Sequence, residues 1–423
     1  MRFQEARNII LLERSDDNMK RAYACLMLLL MLIGVAGCST TTNLQNENYL
    51  LDEKFDTEAY LPGYDMQNSY ARYKVACETE EAYYFKPDQD VFLYFYDKES
   101  GLSGKLCGRP ECPHDSPACN AYLDVRFGIS YYDGKIYFVK SENARLALYA
   151  MDTDGNQLQK VQELKSDMNG INPLVRIHRG YIYTAVVKSE VNEGKDMYRL
   201  IVQQEVLGQE EGETVIVYQE SVSSAEFGLD FYLQAQGNTL YLLVNKQNAS
   251  SLQTEFSLHA YDSRTRHQEE VVQGMYQGKF TSDFILEDHK RYIALYTIED
   301  DGKYYVQEID IPGKRLSELT EISTGDPMLS LGLQEGVVIG YQGAGEPSYY
   351  LTDWEGNLLR QGDLPLLEGQ TEVYVSVMGN LDDGVLFLLS TYQEESIAEA
   401  LLLVPLDPAE EPETLWQGTA YLR

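Results

Sequence analysis

The sequence predicts an all-β protein, a seven-bladed β-propeller built from four-stranded antiparallel blades. Three observations carry this. A unit of roughly 45 to 55 residues recurs from Tyr73 to the C-terminus, the period of a propeller blade. Within each unit β-branched and aromatic residues dominate, with 33 tyrosines in a chain of 423 residues, and glycine turns interrupt any helical stripe. One corner also repeats: Asp152-Thr153-Asp154-Gly155-Asn156 returns as Asp353-Trp354-Glu355-Gly356-Asn357, each time after an aromatic-apolar strand and before a short one.

The clearest unit runs over 128–161. Its first strand, 128–132, closes on Asp133-Gly134, a strong hairpin signal because the glycine accepts a positive φ without a Cβ clash. A second strand covers 135–140, a polar connection 141–144, a third strand 146–151, and a fourth 157–161 beyond the Asp-Gly-Asn corner. Strands of about five or six residues joined by short turns suit an antiparallel meander. The other units fall at 73–107, 173–220, 227–274, 280–323, 328–364 and 374–419. An uneven unit would move the blade count to six or eight. Stacked blades bury their sheet faces on one another and make one large domain, 68–423, from small pieces.

This pattern resembles the bacterial lipoprotein propellers with TolB-like or PQQ-like repeats, among them exported proteins of unassigned function. The resemblance covers the chain from Tyr73 onward and rests on periodicity, so it implies a fold and no activity.

The N-terminus carries an export signal. Met19-Lys20-Arg21 supplies a basic start, an apolar run follows from Ala24 to Val35, and Val35-Ala36-Gly37-Cys38 closes it. The apolar run is short for a membrane span and has the flanks of a signal peptide. Val-Ala-Gly-Cys resembles a lipoprotein cleavage motif, which implies lipidation of Cys38 and removal of 19–37. Residues 1–18 carry Glu13, Asp16 and Asp17 just before the signal and read as an upstream extension, with translation starting at Met19. From 38 to 67 the chain is polar and reads as a tether, with contact to the folded domain beginning around Tyr60-Leu61-Pro62-Gly63-Tyr64. The expected location is extracytoplasmic, on the membrane through the lipid.

The net charge is −33, and removal of 1–37, with five basic and four acidic side chains, leaves about −34. An exported chain this acidic with no basic stripe argues against nucleic acid as a partner.

The sharpest candidate site is Cys107-Gly-Arg-Pro-Glu-Cys112-Pro-His114-Asp-Ser-Pro-Ala-Cys119, between the first and second units. Cys-x4-Cys-x-His-x4-Cys supplies the ligands of a tetrahedral zinc site, and its prolines and glycine let the loop fold back. Disulfides compete with this reading, since an exported chain meets compartments where they persist. With Cys25 removed and Cys38 lipidated, Cys77, Cys107, Cys112 and Cys119 remain, an even set that permits two bridges. His114 tips the balance to zinc, with Cys77 left as a small core residue. Either way the loop is expected to be a structural clamp.

Other motifs carry less. Asp152-x-Asp154-x-Asn156 with Glu163 imitates a calcium loop, but its glycine sits at the fourth position where that loop needs the sixth. Gly343-Ala344-Gly345 lies between strands with no helix to present to a phosphate. His178, His259, His267 and His289 are isolated in sequence and read as strand or loop residues. No catalytic motif is present. The sequence therefore points to a scaffold or binding module for a protein or glycan ligand, with a glycan-active hydrolase or lyase as the alternative.

Overall fold

The structure is a computed structural model describing residues 53–65 and 76–421, apart from short stretches at 125–127, 143–144, 252, 278, 281–289, 297–303, 323–327, 332–337, 343–346, 354, 366–372, 382–383 and 393–395. Cys38, the signal segment, His289 and Gly343-Ala344-Gly345 lie outside the described residues.

Seven antiparallel sheets follow one another along the chain. Blade 1 is β1 (Ala76–Glu78), β2 (Ala82–Phe85), β3 (Tyr94–Asp97) and β4 (Ser103–Lys105). Blade 2 is β5 (Ile129–Tyr132), β6 (Lys135–Glu142), β7 (Arg145–Asp152) and β8 (Gln159–Glu163). Blade 3 is β9 (Ile171–His178), β10 (Tyr181–Asn192), β11 (Lys195–Val206) and β12 (Val215–Ser223). Blade 4 is β13 (Phe227–Gln236), β14 (Thr239–Asn248), β15 (Gln253–Asp262) and β16 (Gln268–Gln277). Blade 5 is β17 (Lys279–Phe280), β18 (Lys290–Tyr296) and β19 (Tyr304–Asp310), with its outer strand divided into β20 (Arg315–Leu316) and β21 (Thr320–Ile322), both paired to β19. Blade 6 is β22 (Met328–Leu331), β23 (Val338–Gln342), β24 (Ser348–Thr352) and β25 (Leu358–Asp363). Blade 7 is β26 (Tyr374–Leu381), β27 (Gly384–Tyr392), β28 (Ser396–Pro405) and β29 (Glu413–Tyr421). The seven units expected from periodicity are these seven blades.

The near-continuous apolar second strands follow from blades being covered on both sides. In β10, Tyr183, Ala185 and Val187 pack toward blade 4, while Ile182 and Val186 pack toward blade 2. In β27, Val385, Phe387 and Leu389 face blade 6, and Leu386 and Leu388 face blade 1. Alternate side chains of one strand thus serve two different interfaces, so both parities must be apolar.

The ring closes without exchanging a strand, since blades 1 and 7 are each one continuous stretch of chain. Their seam is aromatic: Trp416 meets the rings of Tyr94 and Phe85 at 5.1 and 5.6 Å. Polar contacts add to it. The buried Glu399 carboxylate accepts the N–H groups of Asp88 and Gln89 at 2.9 and 3.3 Å, and Tyr96 Oη donates to Glu413 at 3.0 Å. Blades 6 and 7 are joined by Arg360, which donates to Tyr349 Oη and to the carbonyls of Pro405, Asp407 and Glu410.

Residues 53–65, part of the stretch expected as tether, are docked on the blades. They run over the first hairpin turns of blades 4, 3 and 2 in that order. The Phe55 carbonyl accepts from Asn238 Nδ2 at 2.9 Å on blade 4. Arg179, 1% exposed, donates from Nη1 to the Thr57 carbonyl at 2.5 Å and from Nη2 to that of Ala59 at 2.7 Å. Its Nε and Nη2 also pair with the two oxygens of buried Asp65, at 2.5 and 3.0 Å. On blade 2, Asp133 donates its N–H to the Gly63 carbonyl and accepts from Tyr64 Oη, both at 2.7 Å. His178 belongs to this framework: its Nε2 bonds the Gly237 carbonyl at 2.7 Å, and burial holds its pKa below the usual histidine value.

Candidate metal centre and an inter-blade cavity

The loop after β4 brings its four candidate ligands together. One ligand atom each of Cys107, Cys112, His114 and Cys119 lies within 4.8 Å of the others. A tetrahedron with Zn–S of about 2.3 Å and Zn–N of about 2.0 Å has S···S edges near 3.8 Å and S···N edges near 3.5 Å. His114 Nδ1 stands 3.4 Å from Cys119 Sγ, already at that edge length.

The loop is held by local bonds and by blade 2. Cys112 and Cys119 close turns onto the carbonyls of Arg109 and Ser116, at 3.1 and 3.0 Å. The Arg109 guanidinium reaches back to the Ala118 carbonyl and to Cys112 Sγ, tying the two halves of the loop together. His114 adopts a left-handed backbone, φ 54°, and its carbonyl accepts from Lys105 Nζ at 2.7 Å. The floor is the repeated corner of blade 2. Gly155 accepts from the Gly108 N–H at 3.2 Å and from Asn120 Nδ2 at 2.8 Å. A Cβ on Gly155 would lie 2.7 Å from the backbone at Leu106 and Cys107.

The Asp-Gly-Asn corner is a hairpin turn, as expected. Asp152 donates its N–H to the Asn156 carbonyl at 3.0 Å, and Asp353 repeats this with Asn357 at 3.0 Å.

The thiols are electrostatically unlike. Burial pushes Cys107 up, but hydrogen bonds from the backbone N–H groups of Arg109 and Asn120 and from the Arg109 side chain outweigh it, bringing the thiol down to about 6. Burial pushes Cys119 up to about 12, with Cys112 and Cys107 adding to the rise. A metal ion held by these residues would bind their deprotonated forms and release the protons. Cys77 is a free thiol buried between blades 1 and 2, 2% exposed, packed among Tyr84, Leu106 and Ile136. It is not part of the Cys107–Cys119 cluster. Three thiols and an imidazole remain, the composition of a closed four-ligand site with no position left for water.

A second feature was not legible in the sequence. A cavity of about 380 Å³ opens between β12 of blade 3 and β14–β16 of blade 4. Tyr218 and Glu220 line it from one side, and Lys246, Glu255, His259 and Glu270 from the other. Ser257 Oγ and His259 Nε2 are 2.9 Å apart, and the His259 ring packs on Tyr218 with centroids 4.6 Å apart. Glu270 lies directly across from His259 in the β15–β16 register. These residues span more than 50 positions of sequence, and only the packing of blade 4 on blade 3 gathers them.

No protein-family model and no curated protein matches the chain. Among solved structures it is similar to an ulvan lyase of polysaccharide lyase family PL25, with a TM-score of 0.50 and 10% identity over 85% of this chain and 97% of that one. It also aligns with the oligogalacturonate lyase of Vibrio parahaemolyticus, TM-score 0.47 and 12% identity over 78% and 88%, and with the Dos1 propeller, TM-score 0.38 and 10% identity over 85% and 88%. At such identity the likeness speaks to fold alone. The chain is a seven-bladed β-propeller protein.

Proposed function

We propose that the protein is an exported, lipid-anchored propeller that works as a ligand- or protein-binding scaffold, braced by a structural zinc ion at Cys107, Cys112, His114 and Cys119. The observation that carries this is the closed ligand set. The one metal-capable cluster found among the described residues already offers four protein ligands, so it suits bracing and leaves no coordination position for a substrate. An exposed aromatic pair supports binding: Tyr374 and Tyr392 are 55% and 53% exposed and pack edge to face at 5.1 Å. Anchoring through Cys38 rests on the Val35-Ala36-Gly37-Cys38 motif, and several acyl chains at one site would hold the domain stably.

Metal analysis with thiol counting tests the brace. One zinc per chain, lost in Cys112→Ser, is expected; no bound zinc together with no free thiol overturns it. The anchor is tested separately: Cys38→Ser should move the protein from the membrane to the soluble fraction.

The second reading is a glycan-active hydrolase or lyase, favoured by the convergence of Tyr218, Glu220, His259 and Glu270 from two blades in one cavity. The acidity of the cavity and of the whole chain disfavours acidic polysaccharides, so this reading is narrowed to neutral or basic glycans. Turnover abolished by His259→Ala would establish it.

A further inference from the structure

We propose that the cavity between blades 3 and 4 binds an organic cation, a primary ammonium or guanidinium group on a short apolar stem. The cavity volume, about 380 Å³, falls in the range of small-ligand sites. Its back wall is built: Ser257 is only 8% exposed, and its bond to His259 fixes the imidazole against Tyr218.

The charges select the ligand. Lys246 Nζ pairs with Glu220 at 3.0 Å and lies 3.8 Å from Glu255. Tyr218 Oη donates to the other Glu220 oxygen at 2.7 Å, so that carboxylate is fully engaged. Glu270 accepts no hydrogen bond and forms no ion pair among the described residues, although it faces the same cavity. Burial holds the His259 pKa below the usual histidine value, against the opposing pull of Glu270 and Glu220. Three carboxylates therefore face one ammonium, and the surplus is negative. An anion is repelled. A metal ion is not matched either, because the only group of three or more metal-capable side chains found close enough together among the described residues is the Cys107–Cys119 cluster. What fits is a diffuse cation that hydrogen-bonds Glu270 and Glu255 while its stem lies along Tyr218 and the half-exposed Met275.

This deepens the binding-scaffold reading and is independent of zinc and of the anchor. Two sources present this chemistry: a free polyamine, or a lysine or arginine side chain displayed by a polypeptide. Calorimetry on the full-length protein in detergent would use spermidine, Nα-acetyl-arginine methylamide and the neutral Nα-acetyl-glutamine methylamide. Saturable binding of a cation, one per chain, and none of the neutral analogue is expected. Glu270→Gln should weaken it at least fivefold, and Glu211→Gln, an exposed acid outside the cavity, should leave it unchanged. Tighter binding of spermidine points to a polyamine, and tighter binding of the arginine derivative to a polypeptide side chain. Absence of saturable binding at about 10 mM, where a site of even about 1 mM Kd would be mostly filled, overturns the proposal. So does an equal loss in the two Gln variants, which would mean diffuse attraction to an acidic surface. Failure of the scaffold reading looks different: turnover of a substrate that depends on His259.

Discussion

Replacing Arg179 by Ala should cost about 3 to 5 kcal/mol, the range for removing one partner of a buried ion pair. The structure supports a value in that range. Arg179 is 1% exposed and Asp65 4%, so removing the guanidinium leaves the carboxylate out of water with no cation of its own. The carbonyls of Thr57 and Ala59 lose charged donors at the same time. One relief is available: residues 53–65 peel from the blades and return Asp65 to water, which forfeits the burial of Phe55 and the bonds to blades 2 and 4. The loss is then bounded by the docking energy of the segment. Two measurements read it. Urea unfolding of Arg179→Ala should show the destabilisation, and limited proteolysis should cut within 53–65 in the variant under conditions where the wild type is intact. A double-mutant cycle with Asp65→Asn isolates the pair. A variant within about 1 kcal/mol of wild type, the worth of an exposed ion pair, together with an uncut segment would refute the reasoning.

Gly155→Ala forces a Cβ into the backbone of the cysteine loop at φ +79°, whereas Gly134→Ala, at φ +76°, meets nothing within 4 Å. Both bear the left-handed penalty of about 1 to 2 kcal/mol, but only Gly155→Ala should also lower retention of the proposed zinc, which metal analysis after dialysis reads. Arg360→Ala strips the buried Pro405 carbonyl and the part-buried Asp407 and Glu410 carbonyls of a charged donor and should cost about 2 to 4 kcal/mol by urea unfolding; Arg360→Lys should recover only part, lacking the planar fork. Burial raises the carboxyl pKa of both Glu205 and Glu399 above the ordinary 4.5. The folded chain therefore holds these protons more tightly than the unfolded one. Their contribution is complete below about 4.5 and is lost as pH rises through the folded values. Unfolding free energy should fall less from pH 5 to 7.5 in Glu205→Gln and Glu399→Gln than in wild type, as a comparison across the variants, which cancels the opposite trend from buried His178. An unchanged slope in the double variant would contradict this.

The repeat was legible because each blade is a local meander whose pairing is written in neighbouring residues. Strand alternation, Asp133-Gly134 and the two Asp-x-x-Gly-Asn corners placed all seven units. The cysteine loop was legible for the same reason, since its four ligands lie within 13 residues. What could not be read was contact between elements distant along the chain. Arg179 looks like a turn residue between β9 and β10, and nothing near it announces an acid 114 positions earlier. The residues 53–65 look like tether because their composition is polar, and their docking depends on backbone carbonyls that composition does not reveal. His259 looked isolated because its cavity partners, Tyr218 and Glu270, come from another blade and another strand. The divided outer strand of blade 5 likewise has no marker in the sequence pattern.

The seam between blades 1 and 7 has a consequence for chain order. With no strand shared across it, the order of blades around the ring is indifferent to where the polypeptide starts. A circular permutant joined from the end of blade 7 to residue 53, through a linker long enough to reach blade 4 where that segment begins, and opened between blades 4 and 5 would keep every blade whole. It would also keep residues 53–65 lying over blades 4, 3 and 2, all on one continuous piece of chain. The ring tolerates re-cutting, and the segment ahead of the first blade determines where the cut can fall.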